Sequence, residues 1–433
     1  MGADATSGAN RGSIRGNPRS TLWPCLALRY PWLAPPLLAA GSGHCDDPAT
    51  VKPSDSPFLP RRALRLLLWA ACISAVTALA LGACATANPH HNPAKPHHLP
   101  TGFRNLHAAF EPKGLLTVLQ WQWDAVRNGL PRPPRTPTPT VAPDLGFIHA
   151  NARQGAQMTP ALTWIGHATM LAQFGGLNWL TDPVFSERAS PVSFLGPQRA
   201  QPPGLTLQDL PRIDVVLVSH NHYDHLDETS VKALNAQPGG PPLFVVPLGL
   251  KVWFADLGIT RVTELDWWDV LRLPGPAGTV EVVFTPAQHW SGRTLADRLA
   301  TLWGGFAVFA PDLHLIYTGD TGYSPDFKEI RQRFASRQAD AGFDVALIPV
   351  GAYEPRWFMA TQHVNPQEAV QIHLDLGARR SVGVHWGTFN LTDESLDEPP
   401  EALARARQAA GLRDEQFDVM AIGQTRQLAR RSP

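Results

Sequence analysis

From residue 160 onward, short apolar runs alternate with amphipathic stretches. The runs 161–165, 170–174, 178–181, 213–218, 243–246, 281–285, 305–309, 313–318, 344–349 and 381–385 are rich in β-branched and aromatic residues, which predicts strands. Stretches with 3.6-residue periodicity predict helices over 227–236, 325–335, 366–376 and 399–410. The third has clear ends: Asn365 as N-cap, Pro366 in the first turn, Glu368 closing a capping box, and Gly377 as the stop. Leu115, Leu116, Leu119, Trp121 and Trp123 predict a further helix within 103–135, one that packs on the domain or meets lipid. Strands with interspersed helices predict an α/β domain over 160–428, preceded by an N-terminal extension at 102–159.

The front of the chain reads differently. Residues 1–60 are rich in Pro, Gly, Ser and Arg without periodicity, as in a disordered segment or one lying upstream of the true start. Arg61, Arg62 and Arg65 then precede an apolar run, Leu66–Ala83, that closes Leu81-Gly82-Ala83-Cys84. This 61–84 segment resembles a bacterial lipoprotein signal, so the expected location is the cell envelope, with attachment through a lipidated Cys84. The alternative is an uncleaved membrane anchor, because the run approaches the ~18-residue threshold. Residues 85–101, Pro- and His-rich, are expected to form a flexible linker.

The 433 residues carry 37 basic and 37 acidic side chains, so the net charge is zero. That is not the basic excess a nucleic-acid binder uses to displace counterions, and no nucleic-acid partner is expected. The four cysteines are Cys25, Cys45, Cys72 and Cys84. The domain therefore contains no disulfide, and any metal it holds must be bound by His, Asp or Glu.

Such a set stands at 220–225, His-Asn-His-Tyr-Asp-His, directly after the strand IDVVLVS. A loop leaving a strand end lets His220 and His222 address one position while Asp224 and His225 address a second, which suits two neighbouring ions. Imidazole and carboxylate without thiolate suit zinc. His289, Asp320 and His385 each follow an apolar strand. The expected arrangement is two zinc ions per chain, one on His220, His222 and His289, the other on Asp224, His225 and His385, with Asp320 bridging.

These residues match the metallo-β-lactamase superfamily. The segments 163–169 (TWIGHAT), 180–183 (LTDP), 219–227 (SHNHYDHLD), 264–268 (ELDWW), 285–290 (TPAQHW), 318–323 (TGDTGY), 351–359 (GAYEPRWFM) and 385–389 (HWGTF) together resemble the N-acyl-phosphatidylethanolamine-hydrolysing phospholipase D branch over about 102–425. The resemblance implies an αββα sandwich with a dinuclear metal site at one edge. It implies a phospholipid substrate cleaved to phosphatidic acid and an N-acylethanolamine at a membrane surface, with Asp224 and Asp320 in the catalytic centre. Asp182 would orient a ligand loop, and Gln362 and His363 match positions bordering the substrate pocket; His363 serves there in catalysis or braces its loop. His167 and Tyr223 are expected to support the ligands or contact substrate, against a purely structural reading of His167. Trp290, Trp357, Phe358 and Trp386 adjoin the metal motifs and line an acyl-chain approach or serve as core. His314 and His373 are expected to be structural. Two other functions stay open on sequence grounds: a lactonase or other ester or amide hydrolase on the same fold, and a non-enzymatic envelope lipoprotein. The sequence leaves the oligomeric state open.

Overall fold

A strand buried on both faces needs a largely apolar run, and three six-residue strands, Ala161–Gly166, Thr169–Phe174 and Gly305–Ala310, have every residue buried. The computed structural model describes residues 87–431 except 295 and 339–341. The expectations for 1–60, for 61–84 and for Cys84 lie outside the described residues.

A hairpin of β1 (His98–Leu99) and β2 (Gly102–Phe103) leads into two seven-stranded sheets. The first sheet contains β3 (Ala161–Gly166), β4 (Thr169–Phe174), β5 (Leu177–Thr181), β6 (Val215–Leu217), β7 (Leu243–Pro247) and β8 (Val262–Leu265). The second contains β9 (Val270–Gly275), β10 (Gly278–Thr285), β11 (Gly305–Ala310), β12 (Leu313–Tyr317), β13 (Val345–Pro349), β14 (Ser381–Val384) and β15 (Phe417–Val419). β16 (Thr425–Gln427) returns to the first sheet beside β3. The helices are α1 (Leu115–Asn128), α2 (Leu145–Ala152), α3 (Glu228–Asn235), α4 (Lys251–Asp256), α5 (Asp326–Phe334), α6 (Arg356–Met359), α7 (Pro366–Leu376) and α8 (Glu398–Ala409).

The two-residue period of a strand sorts side chains between layers. In β7, Val245 faces the core shared by the two sheets, while Phe244 and Val246 join the outer cluster with Val231 and Leu234 of α3 and Phe254 of α4. On the far side, Phe327 and Ile330 of α5, Ile372 of α7 and Leu403 of α8 pack against the second sheet. The result is an αββα sandwich. Strands β5 to β8 are parallel, as are β12 to β15. Their carboxyl ends therefore share an edge, where α/β folds build their sites.

The helix expected over 366–376 has those bounds, with the Asn365–Glu368 capping box and Gly377 at φ 60°. Of the residues predicted within the extension, Trp121 binds the body: its Nε1 donates to Asp393 at 2.9 Å and its ring lies 4.8 Å from Phe358. Leu115, Leu116, Leu119, Trp123 and Val126 of α1 form one exposed stripe, with Leu116 81% and Trp123 66% accessible. No helix among the described residues is long and apolar enough to cross a membrane.

The expected linker at 85–101 is corrected by the structure, which is ordered in secondary structure and hydrogen bonds from residue 88. Asn88 Nδ2 donates to the carbonyls of Leu99 and Gly102, Phe103 is buried in the main core, and His97 and His98 are buried. The physical reason is Asp266, whose buried carboxylate accepts from His97 Nε2 at 2.7 Å, His98 Nε2 at 2.8 Å, Lys95 Nζ and the Trp267 amide. Histidines that look hydrated in a Pro-rich stretch are here the counter-groups of a buried acid.

Candidate metal centre

Each of the seven residues expected as ligands lies just beyond a strand end, and the fold brings all seven together. His220, His222, Asp224 and His225 leave β6, His289 follows β10, Asp320 follows β12, and His385 follows β14. Gly319, at φ 62°, lets the turn after β12 press against Ser219, where a Cβ would lie 2.9 Å from the serine Cβ.

The seven divide into two halves. In the first, His222 Nδ1 lies 2.8 Å from His220 Nε2 and 3.3 Å from His289 Nε2. In the second, His385 Nε2 lies 3.1 Å from His225 Nε2 and 3.2 Å from Asp224 Oδ2. Asp320 Oδ2 approaches His225 Nε2 at 3.1 Å and His385 Nε2 at 3.0 Å, and on its other side groups with His289 and His363. Tetrahedral ligation at ~2.0–2.1 Å places donor atoms about 3.3 Å apart, close to these separations.

Outer hydrogen bonds set the tautomers. Ser219 Oγ donates to Asp182 at 2.6 Å, so it accepts Nδ1–H of His220 at 2.9 Å. His225 Nδ1–H donates to Asp182 at 2.6 Å, and His289 Nδ1–H donates to the Gln362 carbonyl at 2.8 Å. All three Nε2 atoms therefore present lone pairs inward. In the first half the Nε2 lone pairs of His220 and His289 both face His222 Nδ1, which carries at most one proton and cannot satisfy both, and a cation is what such a donor set fits.

Electrostatics agree. Burial, then the neighbouring imidazoles, holds His220 and His222 well below the usual histidine range, so both rings are neutral, as ligation requires. Burial also opposes charge on His225, but Asp320, Asp224 and Asp182 outweigh it and hold the ring well above its usual value. Asp224 and Asp320 sit well below the carboxylate range, because His225 and the other nearby rings outweigh the opposing effect of burial. One half is thus a neutral tris-imidazole cup, while the other half calls for positive charge.

The supporting residues divide as follows. Asp182, fully buried at φ 33°, accepts from Ser219 twice, from His225 and from Tyr317. His167 belongs to the centre: its Nε2 lies 3.0 Å from Asp224 Oδ2, and its carbonyl accepts the His385 amide at 3.0 Å. His167 and His385 both hold positive φ, 54° and 61°, so non-glycine strain concentrates at this edge. Gln362 acts through its carbonyl. His363 points an unpartnered, buried Nδ1 toward Asp320 at 3.8 Å, and burial lowers its pKa to about 3. Trp290 packs edge-on to His222 at 4.2 Å and stacks on Phe110 at 5.0 Å.

Three expected residues face elsewhere. Tyr223 turns outward: its hydroxyl donates to the Arg293 carbonyl, and the Arg293 guanidinium lies 3.9 Å over its ring, in a groove of about 740 Å³ shared with Leu226 and Trp253. Trp386 stacks on Trp164 at 5.1 Å and is buried in the core between the sheets. Phe358 packs under α1, leaving Trp357 exposed beside it. His373 is structural, as expected, bonded to Ser381. Sequence reasoning missed Asn105, Ser219 and Tyr317. Ser219 directly precedes the His motif, but Asn105 and Tyr317 carry no local signal. The second buried His/Asp group, His97–His98–Asp266, is not a metal site, because the Lys95 ammonium already sits on the carboxylate.

The fold and the site define a metal-dependent hydrolase of the metallo-β-lactamase superfamily. The family model described as a beta-lactamase superfamily domain matches residues 178–386. A solved structure described as a possible metal-dependent hydrolase from Veillonella parvula shares the fold at a TM-score of 0.50 and 21% identity, covering 62% of this chain and all of that one. The chain is 42% identical over 271 residues to N-acyl-phosphatidylethanolamine-hydrolyzing phospholipase D 1 of Caenorhabditis elegans, covering 60% of this chain and 74% of that protein. It is also 37% identical over 366 residues to an uncharacterized protein of Mycobacterium bovis, 80% of this chain and 91% of that one. This chain belongs to the N-acyl-phosphatidylethanolamine-hydrolysing phospholipase D family, and is an enzyme of that type.

Proposed function

We propose that the protein holds two zinc ions and hydrolyses the distal phosphate ester of N-acyl-phosphatidylethanolamine-like phospholipids, releasing phosphatidic acid and an N-acylethanolamine. The observation that carries this reading is the pairing, at one sheet edge, of a neutral tris-histidine cup with a His/Asp half that demands positive charge. His220, His222 and His289 would hold one ion, Asp224, His225 and His385 the other, and Asp320 both. Bound there, the ions would supply Lewis acidity and ionise water near neutral pH.

The protein's own residues prepare the site. Asp182 locks His220, through Ser219, and His225 in the ligating tautomer. The Gln362 carbonyl does the same for His289. His363 would meet substrate beside Asp320: Arg356 Nη1 holds its carbonyl at 2.8 Å, and its Nδ1, facing Asp320 at 3.8 Å, makes no hydrogen bond. The exposed apolar stripe of α1, a helix docked on the body by Trp121 on its other face, together with exposed Trp357, supports contact with a membrane surface. Attachment through lipidated Cys84 completes the proposal; Cys84→Ser would then abolish lipid labelling and leave an unprocessed precursor.

Turnover in oxygen-18 water tests the reaction. Label in the phosphatidic acid phosphate is expected. Label only in a released carboxylate would make the enzyme an esterase or lactonase, and no turnover of N-acyl phospholipid by the metal-loaded protein would remove the substrate.

A further inference from the structure

His289 occupies a place where the sheet cannot hold it. The β10–β11 ladder ends at the pair Thr285–Gly305, four residues short of His289. Beyond it, Gln288 still has a neighbour, since its carbonyl accepts the Gly322 amide at 2.8 Å. His289 has no strand beside it. Its amide and carbonyl are met instead by one side chain from far upstream: Asn105 Oδ1 accepts the His289 amide at 3.1 Å, and Asn105 Nδ2 donates to the His289 carbonyl at 2.9 Å. A primary amide carries the same donor–acceptor pair as a peptide group, so Asn105 stands in for the missing strand. The side chain is itself buried, and its oxygen also accepts from Trp303 Nε1 at 3.0 Å.

The segment that delivers Asn105 is fastened on both sides. Upstream, Lys95, His97 and His98 converge on Asp266; downstream, Phe110 stacks on Trp290, which packs against His222. Residues 88–110 thus form a strap that meets the tris-histidine cup directly at His289 and backs His222 through Trp290, although it lies outside the 178–386 span matched by the superfamily model.

We infer that Asn105 is a positioning residue of the metal centre, and that the strap is part of the centre. With the His289 ring pinned at Nδ1 by Gln362 and its main chain pinned by Asn105, Nε2 is held toward His222. Without Asn105, two buried main-chain groups lose their partners, and the peptide at His289 must rotate to find others, carrying the ring with it. Aspartate can replace only the acceptor half, and alanine or leucine neither.

This inference rests on the metal reading above, and the test separates the two. Zinc affinity is measured by chelator competition, and site geometry by the visible spectrum of the cobalt(II)-substituted protein, for wild type, Asn105→Leu, Asn105→Asp and His107→Ala. The last cuts a strap contact to Asp326 (3.1 Å) and touches nothing at His289. Asn105→Leu is expected to weaken one of the two ions about ten-fold or more and to change the cobalt spectrum, with Asn105→Asp intermediate and His107→Ala at wild-type values. Folded Asn105→Leu with wild-type affinity and spectrum overturns the inference. So does an equal shift in His107→Ala, which would show that the strap acts through general stability. A wild-type chain that takes up no metal overturns the metal reading, and this inference with it.

Discussion

Asp182 Oδ2 lies 2.6 Å from His225 Nδ1, and through Ser219 the same carboxylate also governs His220, so one buried acid sets a tautomer in each half of the centre. Asp182→Asn cannot accept all of these protons at once. It is expected to lower affinity for both ions about 10–100-fold, whereas Ser219→Ala weakens only the ion in the tris-histidine half. Chelator titration followed ion by ion distinguishes the two patterns.

Asp320 faces both halves, so Asp320→Asn is expected to deplete both ions together and to abolish turnover. Elemental analysis of the wild type should give about two zinc ions per chain. One ion or fewer after reconstitution in excess zinc would sink the dinuclear site, and an Asp320→Asn protein that loses one ion and stays active would sink the shared role.

The strap carries a pH signature. Burial acts to raise the Asp266 carboxyl, but His97 and Lys95 outweigh it and leave the group well below the usual range. Because the folded value is depressed, its stabilising effect is present above the unfolded value of ~3.9 and is lost as pH falls below it. Asp266→Asn should cost about 3 kcal/mol at neutral pH, and should cost less in acid. Thermal melts of both proteins between pH 3 and 7 check this; a difference that stays constant across the range contradicts the assignment.

The α1 stripe makes a prediction about presentation of substrate. Replacing Leu116 and Trp123 by Glu removes two exposed apolar groups and adds charge, without touching the face that holds Trp121. Activity on bilayer substrate is expected to fall about ten-fold or more, since each buried CH₂ is worth ~0.8 kcal/mol, while turnover of a monomeric short-chain analogue is unchanged. Equal loss on both substrates would point to misfolding or to a role for α1 other than lipid contact.

Much of this was legible in the chain because the strands that carry the site are buried on both faces. IDVVLVS, LHLIYTG and SVGVH read as strands ending in a ligand with no knowledge of the fold. Less visible were β9, whose alternating exposure and terminal Pro274-Gly275 give a weak edge-strand signal, and the three-residue strands β15 and β16, which exist only through their neighbours. Asn105 and Tyr317 were hidden for a different reason. Each acts on a residue far away in sequence, and nothing near Asn105 marks it as the partner of His289. The His97–His98 pair carries no local sign of burial, because the acid it pairs with lies 169 residues from His97.

The early onset of the strap alters what a lipid anchor could do. Asn88, only four residues beyond Cys84, is already hydrogen-bonded to the hairpin at Leu99 and Gly102, whose histidines are held by Asp266. At ~3.3–3.6 Å per residue the intervening chain spans at most about 14 Å. A long stalk would merely raise the local concentration of a freely tumbling enzyme. A leash this short would moor it, fixing which side faces the lipid and turning the search for substrate from a three-dimensional encounter into lateral diffusion beneath a docked mouth.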